Sequence, residues 1–264
     1  MDLFKKYENY KFSPYPKNKI LNWSTTDDED RFLDNVEKKI DTETTDYYLK
    51  NPITYGFNNY GFRTPDDFNS EDEGNLFLGC SYTVGIGVHL ENSWAYQVNQ
   101  HVGGKFWNMS VAGSGIMCHF RLLFAFIDEL KIKNVFHFGP KFERFEFFKN
   151  DEPYQLDGNW RSYKDYYSDD FTIPYLDFYV ESISTPINAD LVFATHLLAI
   201  ENLCKIKGIN YYYIQERPDE NMEGLKARDL CHPPITWHKH LSDIFIKKYE
   251  EKDTNVQYFN RCRL

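Results

Sequence analysis

The sequence predicts a three-layer α/β/α sandwich with a central, mostly parallel sheet of flavodoxin-like type. Three observations carry that expectation. From Asn75 onward, short apolar runs alternate with longer stretches of helical periodicity. The runs end in small or turn-forming residues, as in Leu78-Gly79-Cys80 and Phe138-Gly139-Pro140. The apolar set is 42% of 264 residues, with 47 aromatics among 5 Trp, 20 Tyr and 22 Phe, enough to fill a large core. Parallel neighbours need a crossover, usually a helix, so the alternation itself implies layers.

The elements follow in order. Residues 1–74 read as an N-terminal extension wrapping onto the main domain of residues 75–264. The extension holds a short helix over Glu29–Lys39 and a turn-rich stretch from Asn51 to Asp72, and its acidic run Asp27–Asp30 reads as a solvated helix start. The main domain opens with a buried strand, Asn75–Cys80, then a helix over Asn92–Gln100 and a strand over Lys105–Ser110. Leu123, Phe126, Ile127 and Leu130 recur at helical spacing and predict a helix over Met117–Leu130, followed by a strand over Lys133–Gly139. A helix over Ala189–Lys207, a strand over Asn210–Gln215 and a final helix over Pro234–Glu250 complete the alternation. The last helix lines up Trp237, Leu241, Ile244, Phe245 and Lys248. An irregular, aromatic-rich insertion at about residues 150–186 breaks the rhythm; such a loop is either a binding element or lid, or a flap over apolar surface.

Composition removes several function classes. Forty acidic residues against 30 basic ones give a formal charge of −10, which argues against a nucleic-acid partner and against an anionic polymer substrate. No apolar run approaches the roughly 20 residues that cross a bilayer, and the N-terminus lacks a secretory pattern. Five widely spaced cysteines with no C-x-x-C pair suggest reduced thiols, so the expectation is a cytoplasmic protein. No cofactor and no metal is expected: His238 and His240 lie two apart on a helix and cannot share a face. His137 and His196 sit in apolar segments and read as satisfied core histidines. Composition leaves the oligomeric state open.

In parallel α/β sheets, ligands bind beyond the carboxyl ends of strands. Ser81 occupies such a place, where Phe77-Leu78-Gly79-Cys80-Ser81-Tyr82-Thr83-Val84-Gly85 runs from a strand into a glycine-containing turn. It does not match the G-x-S-x-G elbow, because Thr83 stands at the second glycine. A serine nucleophile needs a base, and the base needs an orienting acid. Asp229 and His232, ahead of the last helix in Asp229-Leu230-Cys231-His232-Pro233-Pro234, supply both types at a spacing that brings carboxylate to imidazole. Ser81 is also readable as a turn serine, and His232 as a loop histidine capping the last helix.

Together these segments resemble the SGNH (GDSL-like) hydrolases. Gly79-Cys80-Ser81-Tyr82-Thr83 is similar to the first block of that family, with Cys80 where the name has Asp. Asn108-Met109-Ser110-Val111-Ala112-Gly113-Ser114-Gly115 resembles the second, and Asp229-Leu230-Cys231-His232 the last. Asn59-Tyr60-Gly61-Phe62-Arg63 resembles the N-x-x-G-F-R approach ahead of the serine block. The resemblance implies a serine esterase with an acyl-enzyme step: Ser81 as nucleophile, His232 as base, Asp229 as its orienter. It further implies an oxyanion held by the N–H groups of Ser81 and Gly113, with Asn108 beside them as an oxyanion or substrate-binding residue. The sequence departs from the family at the third block, usually Gly-x-Asn-Asp, where Phe138-Gly139-Pro140-Lys141 stands instead. Arg144 is the candidate replacement donor, with a surface pair to Glu143 or Glu146 as the alternative. The expected substrate is a small-molecule or carbohydrate-linked ester. Acyl transfer to an alcohol by the same residues, or a non-catalytic binding module on this scaffold, are the alternatives.

Overall fold

The structure is a computed structural model that describes residues 12–149, 152–156, 182, 185–215, 219 and 222–256. In chain order its strands are β1 Lys19–Leu21, β2 Tyr55–Phe57, β3 Glu73–Leu78, β4 Lys105–Asn108, β5 Lys131–Phe138, β6 Phe145–Lys149, β7 Glu152–Leu156 and β8 Asn210–Ile214. Its helices are α1 Glu29–Glu37, α2 Thr42–Lys50, α3 Ser81–Val84, α4 Trp94–Val102, α5 Ile116–Phe126, α6 Pro186–Ile206 and α7 Ile235–Glu250.

Strands β3, β4, β5 and β8 form a parallel sheet in the order β4-β3-β5-β8. The chain starts in the middle, steps to one edge at β4, then crosses over to β5 and β8, so the order reverses between β3 and β5. Alternating side chains send the two faces of the sheet into separate cores. Leu76, Leu78, Val135, Tyr211 and Tyr213 pack with Leu122, Phe126, Phe193 and Ile200 of α5 and α6. Phe77, Phe136, Phe138, Tyr212 and Ile214 pack with Trp94, Val98, Trp237, Leu241 and Phe245 of α4 and α7. The fold is therefore a three-layer α/β/α sandwich.

Period-2 alternation leaves register to be chosen among shifts of two residues, and a row of amides, buried at Asn75 and Asn134 and reaching the surface at Asn210, chooses it. Asn75, Asn134 and Asn210 are Cα partners across β3, β5 and β8. Asn134 donates from Nδ2 to Asn75 Oδ1 at 2.7 Å and accepts at Oδ1 from Asn210 Nδ2 at 2.9 Å. Asn75 continues the row by donating to Asn99 Oδ1 and the Gly103 carbonyl. Only the in-register pairing satisfies this row.

Several boundaries differ from the sequence reading. The serine opens one helical turn, α3, and Leu90–Asn92 forms a 3-10 turn before α4. The helix expected over Met117–Leu130 stops at Phe126, and Leu130 N–H bonds back to the Phe126 carbonyl as the chain turns toward β5. The stretch read as turn-rich, Asn51–Asp72, contains β2, which pairs antiparallel with β1, and α2 was not anticipated. Strands β6 and β7 pair antiparallel, so part of the front of the expected irregular insertion belongs to β7; most of that insertion, including Trp160 to Tyr179, lies outside the described residues. The acidic run is not uniformly solvated. Asp28 caps α1 by accepting from Arg31 N–H at 2.8 Å, but Asp27 is fully buried. Within α7, His238 is buried and His240 exposed, as two-residue spacing on a helix requires. Among the described residues, no helix is long and apolar enough to cross a membrane.

Replacing the middle amide in Asn134→Ala should strand the buried Asn75 Oδ1 acceptor, while the exposed Asn210 amide turns to water. The expected loss of stability, read by urea denaturation, is about 1–3 kcal/mol.

Candidate active site

Ser81 comes three residues past the end of β3 and lies at the point where the strand order reverses, the usual crevice of an open parallel sheet. Its carbonyl accepts from the N–H groups of Gly85 and Ile86, which closes the turn behind it. That turn is clamped from the N-terminal region. The buried Arg63 guanidinium donates to the carbonyls of Val84, Gly85, Val88 and Thr54, so the arginine of the Gly-Phe-Arg segment holds the serine turn. The asparagine shaping the turn before it is Asn58, whose Oδ1 accepts from the N–H groups of Tyr60 and Phe62; counting back from Gly61, Asn58 fills the first place of N-x-x-G-F-R, not Asn59.

The Asp229–His232 loop packs against the same turn. His232 Nδ1 lies 2.6 Å from Asp229 Oδ2, while Asp229 Oδ1 accepts from the N–H groups of Cys231 and His232 at 3.0 and 3.1 Å. The His232 ring stands edge-on to Tyr82, centroids 5.5 Å apart, which puts it beside the residue following Ser81. Ser81 is 8% exposed and the His232 side chain 10%, so both are sheltered yet reachable. Among the described residues, no hydrogen bond joins the Ser81 hydroxyl to His232; the two loops meet through Tyr82 and Gly87. Gly87 has φ +77°, and a Cβ there would lie 2.8 Å from Ala227 Cβ and 3.1 Å from Asp229 Oδ1, so only glycine lets the loops close.

Asp229 receives one more bond, from Thr26 Oγ1 to Oδ2 at 2.7 Å. Burial pushes the Asp229 carboxyl up, but the bonds from His232, Thr26 and the Cys231 N–H outweigh it and hold the carboxyl below its ordinary value. Thr26 is placed by its neighbour. Asp27 takes the guanidinium of Arg228 on both oxygens, at 2.8–3.1 Å, and accepts from the Tyr55 hydroxyl as well. Arg228 stacks over the Trp23 ring at 3.8 Å from its centroid. Sequence reading missed Thr26, Asp27, Tyr55 and Arg228; the one available signal was a charged pair, Arg228-Asp229, inside a loop otherwise rich in proline and apolar residues.

The turn after β4 is bonded to the strand end before Ser81, through Val111 N–H and Ser114 Oγ to the Gly79 carbonyl. Gly113 has φ +75°, and a Cβ would meet nothing within 4 Å, so the backbone conformation, not crowding, calls for glycine. The N–H of Ala112 before it is taken by the Tyr15 hydroxyl at 2.9 Å. Asn108, expected as an oxyanion or substrate-binding residue, is fully buried instead. Its Nδ2 donates to the Thr83 carbonyl and its Oδ1 accepts from the N–H and hydroxyl of Ser110, so it braces α3 against the turn. The Arg144 backbone carbonyl packs directly over Gly115, which brings that arginine's loop to this turn. Glu146, one of its suggested partners, is held in a two-point pair by Arg121 at 2.7 and 2.8 Å. Beyond β5, where the family's third block would fall, the Gly139-Pro140 turn is held by Gln215, whose Nε2 donates to the Pro140 carbonyl at 3.0 Å and whose Oε1 accepts from the Tyr213 hydroxyl.

No family model and no curated protein matches the chain. Among solved structures, the chain is similar to a crystal structure of TesA at 13% identity and a TM-score of 0.40, over 67% of this chain and 96% of that one. A likeness at that level bears on neither activity nor substrate.

Breaking the buried pair from one side, in Arg228→Met or Asp27→Asn, should cost about 3–5 kcal/mol in urea denaturation, and the double variant Asp27→Leu/Arg228→Met should recover much of that loss. Because the Asp229 carboxyl is held below its ordinary value, its ionised form stabilises the fold above the unfolded-state pKa of about 3.9. The stability advantage of the native protein over Asp229→Asn should be full at pH 7 and fade as pH falls through the depressed value, followed by urea midpoints from pH 7 to pH 3.

Proposed function

We propose that the protein is a serine-dependent ester hydrolase working through an acyl-enzyme. The observation that carries this reading is the 2.6 Å bond from His232 Nδ1 to Asp229, in a loop packed on the turn that bears Ser81. A carboxylate on Nδ1 keeps that nitrogen protonated and leaves Nε2 as the basic atom.

The chemistry then proceeds in balanced steps. His232 Nε2 takes the Ser81 hydroxyl proton as Oγ attacks the ester carbonyl, and the negative charge moves to the carbonyl oxygen. The N–H groups of Ser81 and Gly113 receive that oxyanion. As the tetrahedral species collapses, the C–O bond to the leaving alcohol breaks and His232 returns the proton to it. Water then attacks the acyl-serine by the same route, releasing acid and free serine. Asp229 orients the ring and stabilises the transient imidazolium; its three other bonds keep it from following the ring's motion. The proposed substrate is a small or carbohydrate-linked ester.

A fluorophosphonate probe tests the reading directly. The folded protein should be labelled, Ser81→Ala should not, and Ser81→Ala should lose ester hydrolysis by on the order of 10⁴–10⁶-fold. Absence of labelling on folded native protein would favour the binding-module reading, which the missing third-block Asn supports. Labelling with product formed only in the presence of an alcohol acceptor would favour acyl transfer.

A further inference from the structure

Beneath the Gly113 turn lies a line of buried polar groups that the proposed chemistry does not touch. Ser114 Oγ donates to the Gly79 carbonyl at 3.2 Å and lies 2.9 Å from His119 Nε2. His119 Nδ1 is 2.9 Å from His137 Nε2, and His137 Nδ1 is 2.7 Å from the Tyr211 hydroxyl. Ser114, His119 and His137 are fully buried and Tyr211 nearly so. The line crosses from β8 through β5 and α5 and ends at the residue two before Ser81.

Proton counting gives the line one direction. The Gly79 carbonyl can only accept, so the single Ser114 proton goes there and Ser114 must accept from His119 Nε2–H. A neutral His119 then has a bare Nδ1, which takes the proton of His137 Nε2–H, and the bare Nδ1 of His137 takes that of Tyr211. The reverse direction would leave the Tyr211 hydroxyl proton with no acceptor among the described residues. Burial, reinforced by nearby Arg144, pulls His119 down to about 3, and burial also carries His137 well below its ordinary value, so both rings are neutral as the counting requires.

The end of the line is where it matters. The Gly79 carbonyl accepts from the Val111 N–H at 3.2 Å and from Ser114 Oγ, at the two ends of the turn that carries Gly113, and the His119 ring also hydrogen-bonds to this backbone position. The strand leading into Ser81 and the turn presenting the Gly113 N–H are thus locked to one another at this carbonyl. We propose that Tyr211, His137, His119 and Ser114 form a positioning relay that sets the Gly113 N–H relative to Ser81. This rests on the esterase reading for its catalytic consequence, though not for its geometry. The four are positioning residues, since none touches the reacting atoms.

The test uses the full chain. In ¹⁵N-histidine NMR of the native protein, His119 and His137 should both be neutral Nε2–H tautomers with slowly exchanging ring protons; an Nδ1–H tautomer or a charged ring at either would overturn the relay. Tyr211→Phe removes only the far hydroxyl. It should shift the Gly113 and Ser114 amide resonances and lower kcat for p-nitrophenyl acetate about 10- to 100-fold with KM little changed. A folded Tyr211→Phe with native kcat and an unmoved Gly113 amide would overturn the proposal. Should that variant fail to fold, Ser114→Ala, at the other end, is read in the same way. If the native protein hydrolyses no ester and takes no fluorophosphonate, the esterase reading fails, while the tautomers and the Gly113 amide still decide the relay.

Discussion

Arg228 lays its guanidinium on both oxygens of Asp27, and neither side chain meets water to any extent. Two buried charges tolerate one another's company only while both stay in place; removing either leaves the other stranded at a cost of several kcal/mol. The pair closes a ring of bonds. The Gly87 N–H donates to the Tyr55 hydroxyl, Tyr55 donates to Asp27, Asp27 holds Arg228, and the Arg228 N–H returns to the Gly87 carbonyl. Three segments far apart in sequence meet in that ring: the N-terminal stretch, the turn after Ser81 and the loop before α7. Thr26 and Asp229 are the immediate neighbours of Asp27 and Arg228, so the bond between them is placed by the ion pair.

The sheet supplies the other half of the placement. Its two faces send alternate side chains into separate cores, each a mix of aromatic and aliphatic residues, which fixes the face on which β3 hands over to the Ser81 turn. Two polar lines run through those otherwise apolar layers. The asparagine row sets register across β3, β5 and β8, and the tyrosine–histidine–serine line joins β8 and β5 to the Gly113 turn. Buried polar groups are costly unless all are satisfied, and a fully satisfied line permits few alternative arrangements. The candidate site is thus held by the ion-pair ring on the His232 side and by the polar line on the Gly113 side.

Much of this was legible in the sequence. Alternating apolar runs announced β3, β4, β5 and β8, and the periodicity around Trp237, Leu241 and Phe245 announced α7, because each spans enough residues to show a period. Strands β1 and β2 have three residues each, too few for alternation to register, and β6 and β7 fall in an aromatic stretch without clean period-2 alternation. Ser81, Asp229 and His232 could be singled out because strand ends and D-x-x-H spacing are local features. Asn108 was read through its motif, but its two amide ends are committed to Thr83 and Ser110, which no motif records.

By itself the sequence determined the layer architecture, the strand-end position of Ser81 and the pairing of Asp229 with His232, since each depends on residues within a few places of one another. Only the tertiary structure decided that Asp27 leaves its acidic run to meet a residue 201 positions away. It likewise decided that Thr26 completes the shell of Asp229, that Arg63 grips the serine turn, and that two core histidines line up toward Ser114. The physical reason is common to all four. A buried polar or charged group takes whichever partner the packed backbone brings within reach, and composition and spacing carry no record of that choice until the chain has closed on itself.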